Sequence, residues 1–180
     1  VNIPNTLTVL RIILVPVIVI FLMQGAFMKA LILIVISGVT DGLDGFLARV
    51  LDQKTLLGAY LDPIADKALL MSCFVTLSVK QIIPGWLTVI VISRDCIILV
   101  GISVLAIMSA PLEIRPSLMS KITTVLQLVT VFAVLLFKAV ALPFPRDGVV
   151  WTLFLATAVF TAASGLDYIF RGIRLMNRAV

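Results

Sequence analysis

Four aspartates stand close together in one stretch of this chain: Asp41 and Asp44 three residues apart, Asp62 and Asp66 four apart. On helices each spacing puts its pair on one face, so two helices can present two pairs of carboxylates. Their surroundings are overwhelmingly apolar. Carboxylates gathered in low dielectric repel one another or take up protons, and even one acid at mid-bilayer costs roughly 2.5–3.5 kcal/mol on insertion scales. A divalent cation removes that conflict. The chain has no histidine, and its two cysteines, Cys73 and Cys96, sit in separate apolar runs without ligand spacing and read as core thiols. Hard oxygen donors of this kind select Mg2+ or Mn2+ over zinc and leave calcium open. Magnesium completes its shell with waters and substrate phosphates, so the matching ligand is a phosphate ester. Gly45 and Ala48 follow Asp41 on the same helical face and leave room beside the backbone, and Arg49 offers a planar fork to phosphate oxygens. Each residue alone has a plainer reading. Small residues at helical spacing serve helix packing, and Asp62 before Pro63 has the form of a helix N-cap. The constellation of four carries the chemistry.

The elements that must position these acids are membrane helices. Of 180 residues, 62% are hydrophobic and 13% charged, and the apolar runs recur along the whole length. Six stretches can each cross a hydrocarbon core of roughly 30 Å: 6–24, 28–49, 62–80, 84–109, 118–141 and 149–171. Their connections carry turn chemistry at Gln24-Gly25, Pro84-Gly85, Pro111, Pro116 and the 143–148 segment. The expected fold is therefore an all-α integral membrane protein of six transmembrane helices, with 1–180 as one domain. A connection over about 50–61 joins two antiparallel helices, so their acid-bearing ends, and all four aspartates, can converge. The chain opens on Val1 rather than methionine, so residues ahead of it are expected to be missing or trimmed.

Basic residues favour cytoplasmic loops. With both termini inside, Arg11, Arg49, Lys54, Lys67, Arg115, Lys121, Arg171, Arg174 and Arg178 fall on or near the cytoplasmic side, and Lys29, Lys80, Lys138 and Arg146 opposite. This split predicts an N-in, C-in topology with the aspartates facing the cytoplasm. The net charge of +5 suits anionic lipid headgroups, and nothing in the sequence suggests a nucleic-acid partner.

The pattern Asp41-x-x-Asp44-Gly45-x-x-Ala48-Arg49, eight residues, Gly58-x-x-x-Asp62-x-x-x-Asp66 resembles the signature of the CDP-alcohol phosphotransferases at every fixed position. The resemblance implies a six-helix fold, a homodimer, and a polar cavity open to the cytoplasm. There CDP-diacylglycerol binds beside two metal ions, Mg2+ or Mn2+. It further implies that Asp41, Asp44, Asp62 and Asp66 ligate metal, with Asp66 also the general base. Gly45, Arg49 and Thr55 would contact the CDP moiety, beside the signature positions Ala48 and Gly58. Asn5 and Thr8 either reach the nucleotide from the first helix or cap its start.

The acceptor is read from stretches outside the signature. "NIPNTLTVLRI" (2–12) is shared by phosphatidylglycerophosphate synthases and cardiolipin synthases of the mitochondrial type. Ser93-Arg94-Asp95, Pro116-x-x-x-Ser120-Lys121-x-x-Thr124 and the 160–172 segment look more like the cardiolipin synthase branch. Phosphatidylglycerol carries one phosphodiester charge, whereas glycerol 3-phosphate is a small dianion needing several cations, and Thr123 stands where a second lysine would serve the latter. Arg94 and Lys121 are the remaining candidates for the acceptor's phosphate; alternatively Arg94 pairs with an acid of another helix and Lys121 snorkels. Asp95 is expected to hold Arg94 only indirectly, because neighbours on a helix diverge. Phosphatidylglycerol is thus the expected acceptor and glycerol 3-phosphate the alternative, in a bacterial cytoplasmic or mitochondrial inner membrane. A transporter would instead show discontinuous helices or repeated halves, and a structural subunit would need neither metal nor CMP.

Overall fold

The computed structural model describes residues 3–50, 56–107, 118–140 and 148–179, with side chains from 10–42, 65, 67–101, 118–140 and 148–172. Among the described residues six helices follow one another: α1 (Ile3–Met23), α2 (Phe27–Val50), α3 (Leu56–Val79), α4 (Gly85–Ile107), α5 (Leu118–Ala139) and α6 (Val149–Ala179). No strand occurs among the described residues. Two helices, Leu118–Ala139 and the Val149–Gly172 part of α6, are long and apolar enough to cross a membrane on their described residues alone.

The chain divides into two compact units, Val1–Ile83 with Val131–Phe144, and Pro84–Thr130 with Pro145–Val180. In the first, α1 packs against both α2 and α3. Ile18, Leu22, Ala30, Ile34, Phe74 and Leu77 are buried there. Pro16 lies inside α1, where it gives up one backbone N–H; a neighbouring helix can accommodate that loss. The α1 end is closed by Gly25 at φ 75°, with Gly25 N–H donating to Leu22 O (3.1 Å) and Ala26 N–H to Phe21 O (2.9 Å). This left-handed cap satisfies the last carbonyls and turns the chain straight into α2.

The end of α3 repeats the device without glycine. Gln81 N–H donates to Ser78 O (2.8 Å) and Ile82 N–H to Leu77 O (2.9 Å), with Gln81 itself at φ 57°. A side chain in this conformation carries strain that glycine lacks. Gln81→Gly is therefore expected to stabilise the protein by about 1 kcal/mol, read as a higher unfolding midpoint in detergent. An unchanged or lower midpoint would show that the turn is held by its surroundings instead.

In the second unit α4 packs on α6 at very close range. A Cβ added at Gly101 would stand 2.8 Å from the Tyr168 ring, so only glycine lets these helices approach as they do. Trp86 and Trp151 stack at the starts of α4 and α6, ring centroids 6.3 Å apart. The α5 residues of this unit bond to α6 through buried hydroxyls and amide. Thr123 Oγ1 reaches Phe160 O (3.0 Å), Gln127 Nε2 donates to Thr161 Oγ1 (3.4 Å), and the Thr130 and Thr157 hydroxyls lie 2.7 Å apart. Large apolar side chains such as Val89, Val100, Val159 and Phe170 point outward, the reverse of a water-soluble surface.

Several boundaries differ from expectation. Helix α3 begins at Leu56, six residues before the expected start, so the α2–α3 connection is shorter than 50–61 and Asp62-Pro63 lies within the helix. That removes the N-cap reading of Asp62: the Asp-Pro signal is a helix-start signal only where no helical turn precedes it. Helix α6 runs on to Ala179, carrying Arg171, Arg174 and Arg178 beyond the apolar stretch. Cys73 is buried as expected, but Cys96 is exposed on α4, because an apolar run around a whole helix does not reveal which side meets protein.

Candidate active site

Helix α2 carries Asp41, Asp44, Gly45, Ala48 and Arg49 in its last turns, and α3 carries Gly58, Asp62 and Asp66 in its first ones. Each helix thus brings its pair of acids to the end nearest the α2–α3 connection, and α1 packs on both. Asn5 and Thr8 lie in the first turns of α1. The side chains of Asn5, Thr8, Asp44, Gly45, Ala48, Arg49, Gly58, Asp62 and Asp66 lie outside those described, as does Thr55 altogether.

Asp41 shows what holds this end of α2. Its Oδ1 accepts from Arg11 Nη1 of α1 at 2.7 Å, with the arginine side chain 1% exposed and the aspartate side chain 41% exposed. A guanidinium so deeply buried is held in one geometry, whereas the partly open carboxylate keeps lone pairs for a further ligand. The donor chemistry fits a hard divalent cation: oxygen ligands, partly accessible, on a helix that bears a second aspartate one turn on. Among the described residues no three potential ligands come together, and the side chains of three of the four aspartates lie outside those described.

Arg11 is the residue that sequence reasoning undervalued, counting it only toward orientation. The signal was present, since a lone arginine inside an apolar run needs a buried partner. Ser37 lies four residues before Asp41 on α2, 1% exposed, its hydroxyl without a partner among the described residues. Thr40, next to Asp41 in the sequence, turns its hydroxyl back to Ile36 O.

Arg94 and Lys121 occupy different settings. The Arg94 side chain is 3% exposed, and its guanidinium donates to Asp95 Oδ1 (2.7 Å), Ser120 Oγ (2.6 Å) and Ser164 Oγ (3.1 Å). It thereby ties α4 to α5 and α6, with Gly165 leaving space for its stem. The expected indirect contact with Asp95 is corrected. Although adjacent Cβ atoms diverge, the long arginine stem folds back far enough for direct pairing, and burial leaves neither charge a water partner. Lys121, in the first turn of α5, is exposed. Thr123 is fully buried against α6, its hydroxyl donating to Phe160 O.

The family described as CDP-alcohol phosphatidyltransferase matches residues 1–169. A rat protein named cardiolipin synthase (CMP-forming) is 33% identical over 183 aligned positions, covering 93% of this chain and 60% of its own. The human protein of the same name has the same identity and coverage. A Bacillus subtilis protein named CDP-diacylglycerol--glycerol-3-phosphate 3-phosphatidyltransferase is 30% identical over 186 positions, covering 93% of both chains. The chain therefore spans about three-fifths of the rat and human relatives and nearly all of the bacterial one.

Proposed function

The chain belongs to the CDP-alcohol phosphatidyltransferase family, and from that membership we propose that it transfers a phosphatidyl group from CDP-diacylglycerol to a hydroxyl of phosphatidylglycerol, giving cardiolipin and CMP. The family is membrane-embedded and generally depends on divalent metal. The observation that carries the reading is the set of four signature aspartates on α2 and α3, two helices that both pack on α1.

In this reading Asp41, Asp44, Asp62 and Asp66 hold two Mg2+ or Mn2+ ions. When bound, these ions offset charge on the pyrophosphate and polarise the phosphorus next to diacylglycerol. The residues of the chain do the rest. Gly45, Ala48 and Gly58 leave the donor room, and Arg49, Thr55, Asn5 and Thr8 orient its CDP moiety. Arg11 fixes Asp41. Asp66 takes the proton of the acceptor hydroxyl as its oxygen attacks phosphorus; the new P–O bond forms, the bond to CMP breaks, and CMP leaves with the electron pair. Lys121, exposed on α5, meets the acceptor's phosphodiester, with Arg94 supporting that end of the helix through Ser120. The protein acts as a homodimer with six spans, both termini and the polar cavity on the cytoplasmic side, and 1–180 forming one family domain.

The Bacillus relative favours a second reading with glycerol 3-phosphate as acceptor, since it alone of the three named above matches over nearly its full length. One assay separates them. Purified protein with labelled CDP-diacylglycerol, Mg2+ or Mn2+ and a panel of alcohols is expected to release CMP only with metal and acceptor, with cardiolipin as the product found by mass spectrometry. Phosphatidylglycerophosphate as the product would establish the second reading. Absence of CMP with every acceptor, inositol and serine included, would overturn the transferase.

A further inference from the structure

The chain has two tryptophans, and the proposed reaction uses neither. Trp86 stands in the first turn of α4 and Trp151 in the first turn of α6, so their stack lies where both helices begin. Buried Phe154 meets Trp151 edge-on, ring centroids 6.2 Å apart, and backs the pair from inside. Both indoles keep an open face, Trp86 at 40% and Trp151 at 46% exposed. Each heads a stripe of exposed apolar side chains. The stripe continues through Val89, Cys96 and Val100 on α4, and through Leu155, Val159, Leu166 and Phe170 on α6, at the three-, four- and seven-residue steps that keep one helical face. On α6 it stops at Phe170. Arg171 follows, exposed and paired with Asp167 Oδ1 at 2.9 Å, an ion pair that belongs in water or among headgroups. From Trp151 to Arg171 is twenty residues, about 30 Å of helix, which is the thickness of a hydrocarbon core.

We propose that the Trp86–Trp151 stack docks on a phospholipid leaflet, with both indoles at the glycerol–ester level between headgroups and acyl chains, and thereby sets the depth of α4 and α6 in the bilayer. An indole joins a large apolar ring to one N–H donor, so it is best placed where ester and phosphate oxygens border hydrocarbon. Stacked across two helices, the pair ties both helix starts to that one level. The stripes below it need an apolar partner along their whole length, which acyl chains supply and water does not. With the pair at this level, Arg94, eight residues on from Trp86, lies about 12 Å inside the boundary. Its bonds to Asp95, Ser120 and Ser164 are then made at hydrocarbon depth, where a lost partner is costliest. This docking requires membrane embedding but neither the metal nor the acceptor of the proposed reaction.

The chain has no other tryptophan, so indole fluorescence reports on this pair alone. The full chain is reconstituted in phosphatidylcholine vesicles whose lipids carry bromine near the top, at the middle or near the end of the acyl chain. Bromine near the top is expected to quench roughly twofold or more strongly than bromine near the end. Trp86→Phe and Trp151→Phe each keep a ring in the stack and leave one indole, and both should give the same order. The order should also hold in vesicles of longer acyl chains, where an unanchored helix end is drawn down among the chains. Strongest quenching by bromine at the middle or end would bury the pair in the core and overturn the proposal. So would aqueous acrylamide quenching more strongly than any brominated lipid, which would put the pair in water. Weak quenching by every agent would show protein covering it, a second copy included, and would overturn the lipid as well. If a Phe variant does not fold, the unaltered protein decides alone, since both indoles contribute to its signal.

Discussion

Asp66→Asn is expected to lower the rate of CMP release by roughly 10²–10⁴-fold while CDP-diacylglycerol binding stays within a few-fold of the parent's. Asparagine keeps the size of aspartate and one carbonyl oxygen, so donor and metal still find a ligand at this position of α3. What it lacks is a site for the acceptor's proton. Aspartate is a weak base at its reference pKa of about 3.9, so the role requires surroundings that favour proton uptake in the transition state. Asp41→Asn and Asp62→Asn should behave differently, weakening metal and nucleotide binding together. The measurements are CMP release at saturating metal and donor binding by calorimetry on the same samples. Near-normal turnover of Asp66→Asn would move the proton to another group.

Arg94→Gln should cost about 3–5 kcal/mol of stability, the usual penalty for breaking a buried ion pair from one side. Both side chains of the Arg94–Asp95 pair are 3% exposed, and the same guanidinium also serves Ser120 and Ser164. Glutamine has no charge for Asp95 and cannot span three acceptors. Arg94→Lys should recover only part of the loss, since an ammonium lacks the flat fork that reaches α5 and α6 at once. Lys121→Gln supplies the contrast. That side chain is exposed, so its loss should leave the unfolding midpoint unchanged and raise the KM for phosphatidylglycerol about ten- to hundred-fold, the value of one charge-assisted contact. Unfolding midpoints and acceptor KM values on the same samples distinguish the two roles. A stable Arg94→Gln with a raised acceptor KM would make Arg94 an acceptor ligand instead of an anchor.

Helices were most legible where glycine or proline punctuates them. Gly25 ends α1 and Pro84 precedes α4 close to where turn chemistry puts them. The early start of α3 was hidden because Asp62-Pro63 imitates a helix start, and a sequence window does not show that Leu56 and Leu57 already continue a helical turn. The tail of α6 was missed because Arg171, Arg174 and Arg178 mark the end of an apolar span, not of a helix. At the candidate site, acid spacing announced the chemistry, but the partners of the cations did not follow from spacing. Arg11 meets Asp41 thirty residues away through packing of α1 on α2, and Arg94 meets its own neighbour by bending a long side chain. Both are tertiary outcomes. The facing direction of Cys96 belongs to the same class: in a helix apolar all round, hydropathy carries no information about direction.

The hydroxyls and amide that join α5 to α6 also bear on how this pair finds its alignment. In hydrocarbon, a leucine gains little by leaving lipid for protein, so greasy contact alone barely distinguishes one sliding position of two helices from the next. Directional bonds distinguish them sharply. Thr123, Gln127 and Thr130 succeed one another at four- and three-residue steps on α5 and meet Phe160 O, Thr161 and Thr157, all within five residues of α6. Displacing one helix by a turn, about 5.4 Å, would carry every one of these donors past its acceptor together. The three bonds thus work as a vernier, and Ser120 and Ser164, bound to the same guanidinium, extend its scale by one more mark.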